Sequence, residues 1–436
     1  MSAALPLRTS GSHLRSTEGM LSLRLSEVLW LLGFNALLFE SSIQDATGFT
    51  YIDEAMTLLL LGAAVKSAVG SKREIVLGAR VRTAALLMLS IVCIGLLGNA
   101  VWGVQTQTAP IIIDVFTCVK FPVALISACV VFAGSGIALF RIVEVETKIV
   151  IAVLLVLGMA NLFVDFGMGT EPRYGLRASF VAVFGHPTYL VIACVGLSVI
   201  LITDWRRNLP WILMALAVTA LSLRSKGLVY AALVIALLVL FSRKNRLSAL
   251  HIAVCVALAL LIGYDQFENY FQTDGFARTE LLQTSFEVAR DYAPLGSGFA
   301  TYGSAVTAEM QYYSQLYYSY GLSTVYGLIP GEATFLSDTF WPTILGQFGW
   351  VGLVLYTGMI AVLFSFAYRL NSKTRLATLC CFLYLLISST SESAFFNPSA
   401  VFLAFCAGFA ATAFSCPEST RSDRSFSRKR ELGLNR

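Results

Sequence analysis

Two cations that could bind an anion lie in a very short connection between the apolar runs 209–223 and 227–241. They are Arg224 and Lys226. Arginine stays charged, and its planar fork of N–H donors binds phosphate or carboxylate oxygens in pairs. If both runs cross a membrane, the two cations are fixed at one membrane–water boundary. The connection therefore predicts an anion-binding site or, as the ordinary structural alternative, ion pairs and snorkelling side chains.

Tyrosine dominates the chemistry of residues 265–337, the longest polar segment of the chain. The segment holds nine of the 17 tyrosines, Tyr302 among them, and it has eight acids but only two cations, of which Arg278 is the first. A tyrosine ring can stack on the apolar face of a sugar, although it also suits the interfacial belt of a membrane protein. Asp274 and Glu280 are close to Arg278 in sequence, so a local ion pair is the alternative to an anion-binding role.

The usual signatures of metal and nucleotide sites are missing from the sequence. The three histidines, His13, His186 and His251, are far apart, and nearly all of the nine cysteines lie in apolar runs. The stretch GSGFATYG lacks the GxGxxG spacing, and no strand-then-helix unit surrounds it. We therefore expect no metal, no nucleotide cofactor and no nucleic-acid partner.

The elements that must position these residues are membrane helices. The chain of 436 residues is 57% hydrophobic and only 13% charged, with a mean hydropathy of +0.73, which is typical of a protein that crosses a membrane many times. We predict an all-α polytopic protein with about twelve transmembrane helices, eleven or thirteen being the alternatives. The predicted spans are 25–43, 51–69, 84–104, 111–133, 149–164, 181–203, 209–223, 227–241, 248–264, 338–366, 375–391 and 394–415.

Basic residues alternate between the two sides of these spans. Both termini and every second connection carry clusters of Arg and Lys, such as the tail RSDRSFSRKR, whereas the intervening connections are mostly acidic or neutral. Positive charge marks the cytoplasmic side, so both termini are expected in the cytoplasm. The turn with Arg224 and the stretch GMGTEPRYGLRASF with Arg177 are then outside, against the charge rule. Cations placed there need a reason other than orientation.

The predicted organisation has five parts. They are a cytoplasmic tail (1–24), membrane helices one to nine (25–264), a large outer loop (265–337), membrane helices ten to twelve (338–415) and a basic cytoplasmic tail (416–436). Within the loop, FARTELLQTSFEVARDY has apolar residues at near-helical spacing, and AEMQYYSQLYYSY is a candidate second helix. The loop is therefore expected to be mostly helical.

Four stretches, taken in their order, resemble the O-antigen polymerase and O-antigen ligase superfamily of bacterial inner-membrane proteins. The likeness covers most of the chain, and its motifs are specific to the superfamily rather than to one member. The stretches are FGHPTYLVIA, LSLRSKGLVYAALVIALLVL, GFARTELLQTSFEVARDYAPLGSGFATYG and SDTFWPTILGQFGWVGLVLY.

The resemblance implies a fold, a reaction and a location. The fold is GT-C-like, and the reaction transfers a glycan from undecaprenyl diphosphate to an acceptor hydroxyl on the periplasmic face of the inner membrane. No nucleotide sugar, metal or other cofactor takes part. The partners implied are the lipid-linked oligosaccharide, membrane lipid, and a chain-length regulator and flippase of the same pathway.

Residue roles follow from the same resemblance. Arg224 matches the family's essential Arg after Ser, and Arg278 matches its loop Arg, so both are catalytic candidates. Together with Arg177 and, more weakly, Lys226, they are candidates for binding the diphosphate, whose charge grows as the glycosidic bond breaks. Asp338 stands where ligases usually have His, which favours the polymerase branch.

The acceptor hydroxyl needs a base, and an acid near the end of the loop suits that role. Asp338 is the first candidate and Glu332 the second, with an interfacial cap at the start of a span as the alternative for Asp338. His186, expected inside a span, and Tyr302 are candidate contacts to the acceptor sugar, and a structural hydrogen bond between helices is the alternative for His186.

Two other functions stay open at this point. One is the ligase that moves the polymer onto lipid A-core. The other is a transporter of the same lipid, for which Asp114 and Lys120, two charges within a predicted span, are the supporting feature. The absence of an internal repeat argues against a transporter.

Overall fold

The computed structural model describes residues 24–70, 78–133, 137–172, 178–243, 276–332 and 335–413. These residues are predominantly helical, as predicted for an all-α protein. The helices of the first half are α1 (Leu25–Leu38), α2 (Glu40–Thr47), α3 (Ile52–Gly70), α4 (Ala79–Trp102), α5 (Thr108–Phe132), α6 (Ile137–Phe163), α7 (Pro187–Ile202), α8 (Trp205–Leu221) and α9 (Ser225–Arg243). Those of the second half are α10 (Ala277–Asp291), α11 (Ala305–Glu309), α12 (Gln315–Ser319), α13 (Trp341–Leu370), α14 (Arg375–Ser388) and α15 (Ser399–Thr412).

Several of the helices have the length and composition of membrane spans. Four of those described, α4, α5, α9 and α13, are long and apolar enough to cross a bilayer, and α1, α7, α14 and α15 are shorter apolar helices. Large apolar side chains such as Leu89, Val156 and Val354 are exposed on the outside of the bundle. Exposing so much apolar surface to water would be unfavourable, whereas contact with lipid is not. The protein is therefore embedded in a membrane.

Helices α7 and α15 form the centre of the bundle. Nearly every residue of both is buried, and they pack on each other and on α5, α8 and α14. A helix that is apolar on all sides belongs inside a bundle. Gly196 of α7 lies against Phe402, and Gly408 of α15 lies against Ala128 of α5. These small residues allow the helix axes to approach closely.

Several predicted span ends were wrong by a few residues. The first predicted span, 25–43, is two helices, because α1 ends at Leu38 and α2 begins at Glu40. The span predicted at 181–203 begins only at Pro187, where the ring fits the first helical turn. The residues before it, Ala178–Phe180, form a short strand that pairs antiparallel with Gly169–Pro172. The span predicted at 248–264 and both tails lie outside the described residues.

Helix α13 is broken near its start. Gly349 has φ 63° and ψ −169°, a conformation that is open to glycine and strained for other residues. Its backbone lies against Gly296, where an added Cβ would be 2.4 Å from the Gly349 nitrogen. The amides of Ser297 and Gly298 donate to the carbonyls of Gly346 and Gln347 at 3.1 and 2.9 Å. The turn 296–304 thus supplies donors to carbonyls beside the break, which lipid could not satisfy.

This contact ties the outer segment to the helix that follows it. The outer segment is not a separate layer above the spans, because its glycine-rich turn is inserted beside α13 and α10 packs along the same helix. The predicted helix around 276–292 is confirmed as α10. The second predicted helix is two short ones, α11 and α12, and Gln311 between them has φ 51°.

Candidate functional site

The candidate site residues lie at one end of the bundle, where the starts of α7, α9, α10 and α13 meet the connection between α14 and α15. Ser393 in that connection donates from its amide to the carbonyl of Ser337 and from its hydroxyl to the carbonyl of Thr339, both at 2.7 Å. Trp341 donates from its indole nitrogen to the Ser389 hydroxyl at 3.1 Å. The α14–α15 connection is therefore fixed to the turn that carries Asp338.

Arg224 contacts His186. Arg224 is the residue between Leu223, which has φ 51°, and the start of α9. Its guanidinium Nη2 lies 2.9 Å from His186 Nε2. A guanidinium only donates, so Nε2 must accept and the proton of the neutral ring is on Nδ1. The 3.3 Å approach of the Thr188 amide to Nδ1 competes with this assignment, and the shorter contact decides it. The structure thus brings together two predicted site residues that are 38 positions apart.

His186 was expected inside a membrane span, but the structure places it just before one. It is the residue that precedes the first turn of α7, with an extended backbone at φ −136° and ψ 138°. Pro187 occupies the first helical position and sets this boundary, because its ring suits a helix start. His186 therefore presents its ring at the end of the bundle rather than holding helices together within it.

Lys226 forms an ion pair with Glu392 of the α14–α15 connection. Both side chains are largely buried, with 16% and 11% of their surface exposed. The sequence analysis missed Glu392. A signal was present, since SESAFF is a short connection between two apolar runs and carries one acid on the predicted outer side.

Arg278 forms an ion pair with Asp338, which is 60 residues away in the sequence. Arg278 is in the first turn of α10, Asp338 is in the short 3-10 helix Leu336–Asp338, and Nη2 lies 2.7 Å from Oδ2. The reading of Asp338 as the cap of a span was wrong, because α13 starts at Trp341 and its capping position is Phe340. The pair is 16% and 34% exposed, and ion pairs that reach solvent contribute only about 0–1 kcal/mol. A ligand with more negative charge can displace this carboxylate.

The arrangement brings cations, acids and one imidazole together on helix starts and connections at one end of the bundle. The Lys226–Glu392 pair and the Arg278–Asp338 pair are joined through Ser393, and Arg224 is two residues before Lys226. Such a set can bind a multiply charged anion if the anion displaces the carboxylates from the paired cations. The displaced carboxylates can then accept protons. Among the described residues, no group of three or more His, Cys, Asp or Glu is placed to hold a metal ion.

Two other predicted site residues, Glu332 and Tyr302, are not brought into this arrangement. Arg177 lies outside the described residues. Glu332 is exposed in a turn, where its amide donates to the carbonyl of Ile329. Tyr302 is fully buried and donates its hydroxyl proton to the carbonyl of Leu281 in α10. Burial raises the pKa of the Tyr302 hydroxyl well above its usual range, so it stays a donor. The structure therefore gives the Tyr302 hydroxyl a partner within the outer segment, and its contact with a sugar stays a prediction.

Asp114 of α5 fixes the outer segment to the spans. Its buried carboxylate accepts from the Ala300 amide at 2.7 Å, from the Ser304 hydroxyl at 2.8 Å and from the Gln347 amide group at 2.9 Å. Asn99 of α4 adds two hydrogen bonds to the backbone of Phe299. The turn that holds Tyr302, and through it α10 with Arg278, is positioned by these contacts.

Asp114→Ala is expected to destabilise the protein by about 3 kcal/mol, because the donors that Asp114 accepts from are left buried without an acceptor. The measurement is the melting temperature of the purified protein in detergent. Asp204→Ala is the matched control, since Asp204 is exposed and its side chain makes no capping hydrogen bond to α8. Equal melting temperatures for the Asp114 and Asp204 variants would contradict the anchoring role.

Comparison with known proteins adds no relative. No protein-family model matches the chain, and a search of curated proteins finds no match.

Proposed function

We propose that this protein is a membrane glycosyltransferase that polymerises a bacterial surface polysaccharide. It moves the glycan of one undecaprenyl-diphosphate-linked oligosaccharide onto the acceptor sugar hydroxyl of another, at the periplasmic face of the inner membrane, with both termini in the cytoplasm. The observation that carries the proposal is the gathering of Arg224, Lys226 and Arg278 at the starts of two helices at one end of a membrane bundle. A lipid diphosphate is the anion that reaches such a place from the bilayer.

The diphosphate binds by displacing carboxylates. Arg278 and Lys226 each hold one acid, and the Arg278–Asp338 pair is open enough to solvent to exchange. The guanidinium forks of Arg224 and Arg278 take phosphate oxygens in pairs, and Lys226 adds a point charge. At the edge of the low-dielectric bilayer these contacts are stronger than in bulk water.

The transfer step is a displacement at the anomeric carbon. The acceptor hydroxyl oxygen forms the new glycosidic bond while the bond from the anomeric carbon to the diphosphate breaks, and the diphosphate leaves with the electron pair. The acceptor proton passes to Asp338, which has been released from Arg278 by the incoming phosphate. The cations stabilise the charge that develops on the leaving group, which is where preorganised donors have their largest effect. The lipid diphosphate is the activated donor, so the proposed step uses no nucleotide sugar and no metal.

The test is the polysaccharide of a strain that lacks the gene, separated as a ladder on a gel and compared with the complemented strain. We expect one repeat unit on lipid A-core and no longer bands, because single repeats are still transferred when polymerisation stops. Free polymer together with bare core would instead identify the ligase. An unchanged ladder would reject both enzymes.

The transporter alternative loses its supporting feature. Asp114 and Lys120 are both buried, but each has structural partners, Asp114 in the outer segment and Lys120 at Asp53 of α3. Charges that serve a transport pathway are expected to face a cavity or an opposing mobile element. The two residues thus need no transported ligand to explain them.

A further inference from the structure

A second charged cluster lies apart from the proposed transfer site, between α2, α3 and α5. Lys120 of α5 is 2.7 Å from Asp53 Oδ2 and 3.9 Å from Glu54 Oε1 at the start of α3. Glu40, the first residue of α2, accepts from the Asp53 amide at 3.2 Å. Three carboxyl groups therefore surround one ammonium group.

The cluster is buried, which makes its charge count matter. The side chain of Asp53 is fully buried, that of Lys120 is 4% exposed, and that of Glu54 is 31% exposed. If every group were ionised, two negative charges would be left over beside the bilayer. Buried carboxylates without enough counter-charge take up protons instead, because an uncompensated charge in a low dielectric costs far more than protonation.

The hydrogen bonds lead to the same conclusion independently of the charge. Asp53 Oδ1 and Glu54 Oε2 are buried, and no donor reaches either atom among the residues that the structure describes. Asp53 and Glu54 are consecutive residues in the first turn of α3, and the Lys120 ammonium lies within 3.9 Å of a carboxyl oxygen of each. Two ionised carboxylates can only accept, so neither can satisfy the other. One proton between them turns the contact into a hydrogen bond.

We propose that this cluster is a proton-binding site in which the Glu54 carboxyl carries the proton and donates it to Asp53. Lys120 keeps its charge and neutralises Asp53 from the α5 side. The other titratable groups that face the pair are Glu40 of α2 and Glu309 at the end of α11, whose charge is felt at Lys120 and Asp53. Both are acids, so both favour retention of the proton. The bound proton joins two carboxyl groups at the start of α3, and Lys120 links that start to α5.

Infrared spectroscopy of the purified protein at neutral pH tests the proposal directly. A protonated carboxyl gives a C=O stretching band that a carboxylate does not, and we expect Glu54→Gln to remove one such carboxyl from the wild-type spectrum. The glutamine amide can still donate to Asp53, so the variant is expected to fold. Glu287→Gln, at an exposed position of α10, is the matched control and should leave the band unchanged. Equal bands in wild type and Glu54→Gln would overturn the proposal.

The pH dependence of stability is a second readout. A glutamate in the unfolded chain ionises near a pKa of about 4.3, so a proton held by Glu54 at neutral pH means that the folded wild type binds at least one proton more than the unfolded chain. Stability then falls as pH rises, by up to tenfold in the folding constant per pH unit for one proton. Glu54→Gln carries no such proton, so its melting temperature should fall less than that of wild type between neutral and alkaline pH. The same slope in both proteins would show that Glu54 is ionised in the folded state.

Discussion

Arg224→Ala and Arg278→Ala are each expected to stop most chain growth while the protein still inserts and accumulates. Both guanidinium groups lie at the end of the bundle where the lipid diphosphate would leave, Arg224 beside His186 and Arg278 beside Asp338. Loss of one preorganised donor to a developing anion typically slows a reaction by about 10²–10³, or about 2.7–4 kcal/mol. The measurement is the polysaccharide ladder of the complemented deletion strain, normalised to the amount of protein in the membrane.

Two further variants separate phosphate binding from general effects of charge. Arg224→Lys and Arg278→Lys should recover only part of the activity, because lysine offers a point charge without the fork. Arg290→Ala is the matched control, since Arg290 is in the same helix as Arg278 but 74% exposed and paired with Asp291. Near wild-type ladders from both Arg224→Ala and Arg278→Ala would show that these are ordinary structural arginines.

Asp338→Asn is expected to abolish chain growth. The substitution keeps the shape of the side chain and leaves a carbonyl oxygen for Arg278, but it removes the group that accepts the proton of the acceptor hydroxyl. Loss of a general base typically costs about 10²–10⁴ in rate. The turn itself should survive, because its links to Ser393 run through the backbone of Ser337 and Thr339 rather than through Asp338. The ladder is again the measurement, and Asp338→Glu should retain a little activity.

The same variant separates polymerase from ligase. Transfer of single repeats to lipid A-core by a separate ligase should continue in Asp338→Asn cells. Normal polymer from this variant would mean that Asp338 is not the base and serves only to hold Arg278. Long free polymer that never reaches the core would reject the polymerase proposal and put the ligase in its place.

Local patterns predicted the helices and some of the site residues. The near-helical spacing of Leu281, Leu282 and Phe286 is enough to place α10, because a helix of this kind is specified by its own residues. The cations Arg224 and Lys226 were found because they stand out in an apolar context on the side where the charge rule predicts none. Both signals are local in sequence.

The partners of these residues could not be predicted, because the chain brings them from far away. A pair with Asp274 or Glu280 was the alternative to an anion-binding role for Arg278, and the structure places Asp338 against it, 60 residues later. Lys226 finds Glu392 across 166 residues. A single sequence carries no information about which of several acids closes such a pair, since charge and hydropathy are the same for all of them.

The break in α13 was missed for a similar reason. The stretch around Gly349 is apolar and reads as one continuous span, and only the approach of Gly296 from the outer segment explains why a glycine with positive φ is placed there. The burial of Tyr302 could not be predicted either, because it depends on the fold of the whole outer segment rather than on the residue type.

The most direct measurement is the binding of undecaprenyl diphosphate to the purified protein in detergent, compared among wild type, Arg224→Ala, Arg278→Ala and Arg290→Ala. If the paired cations at the end of the bundle form the diphosphate site, wild type and Arg290→Ala should bind alike. Arg224→Ala and Arg278→Ala should then bind at least about tenfold more weakly, the loss expected for one charge-assisted contact of about 1.4 kcal/mol or more. Equal affinity in all four proteins, or no binding by wild type, would contradict a lipid diphosphate at this site.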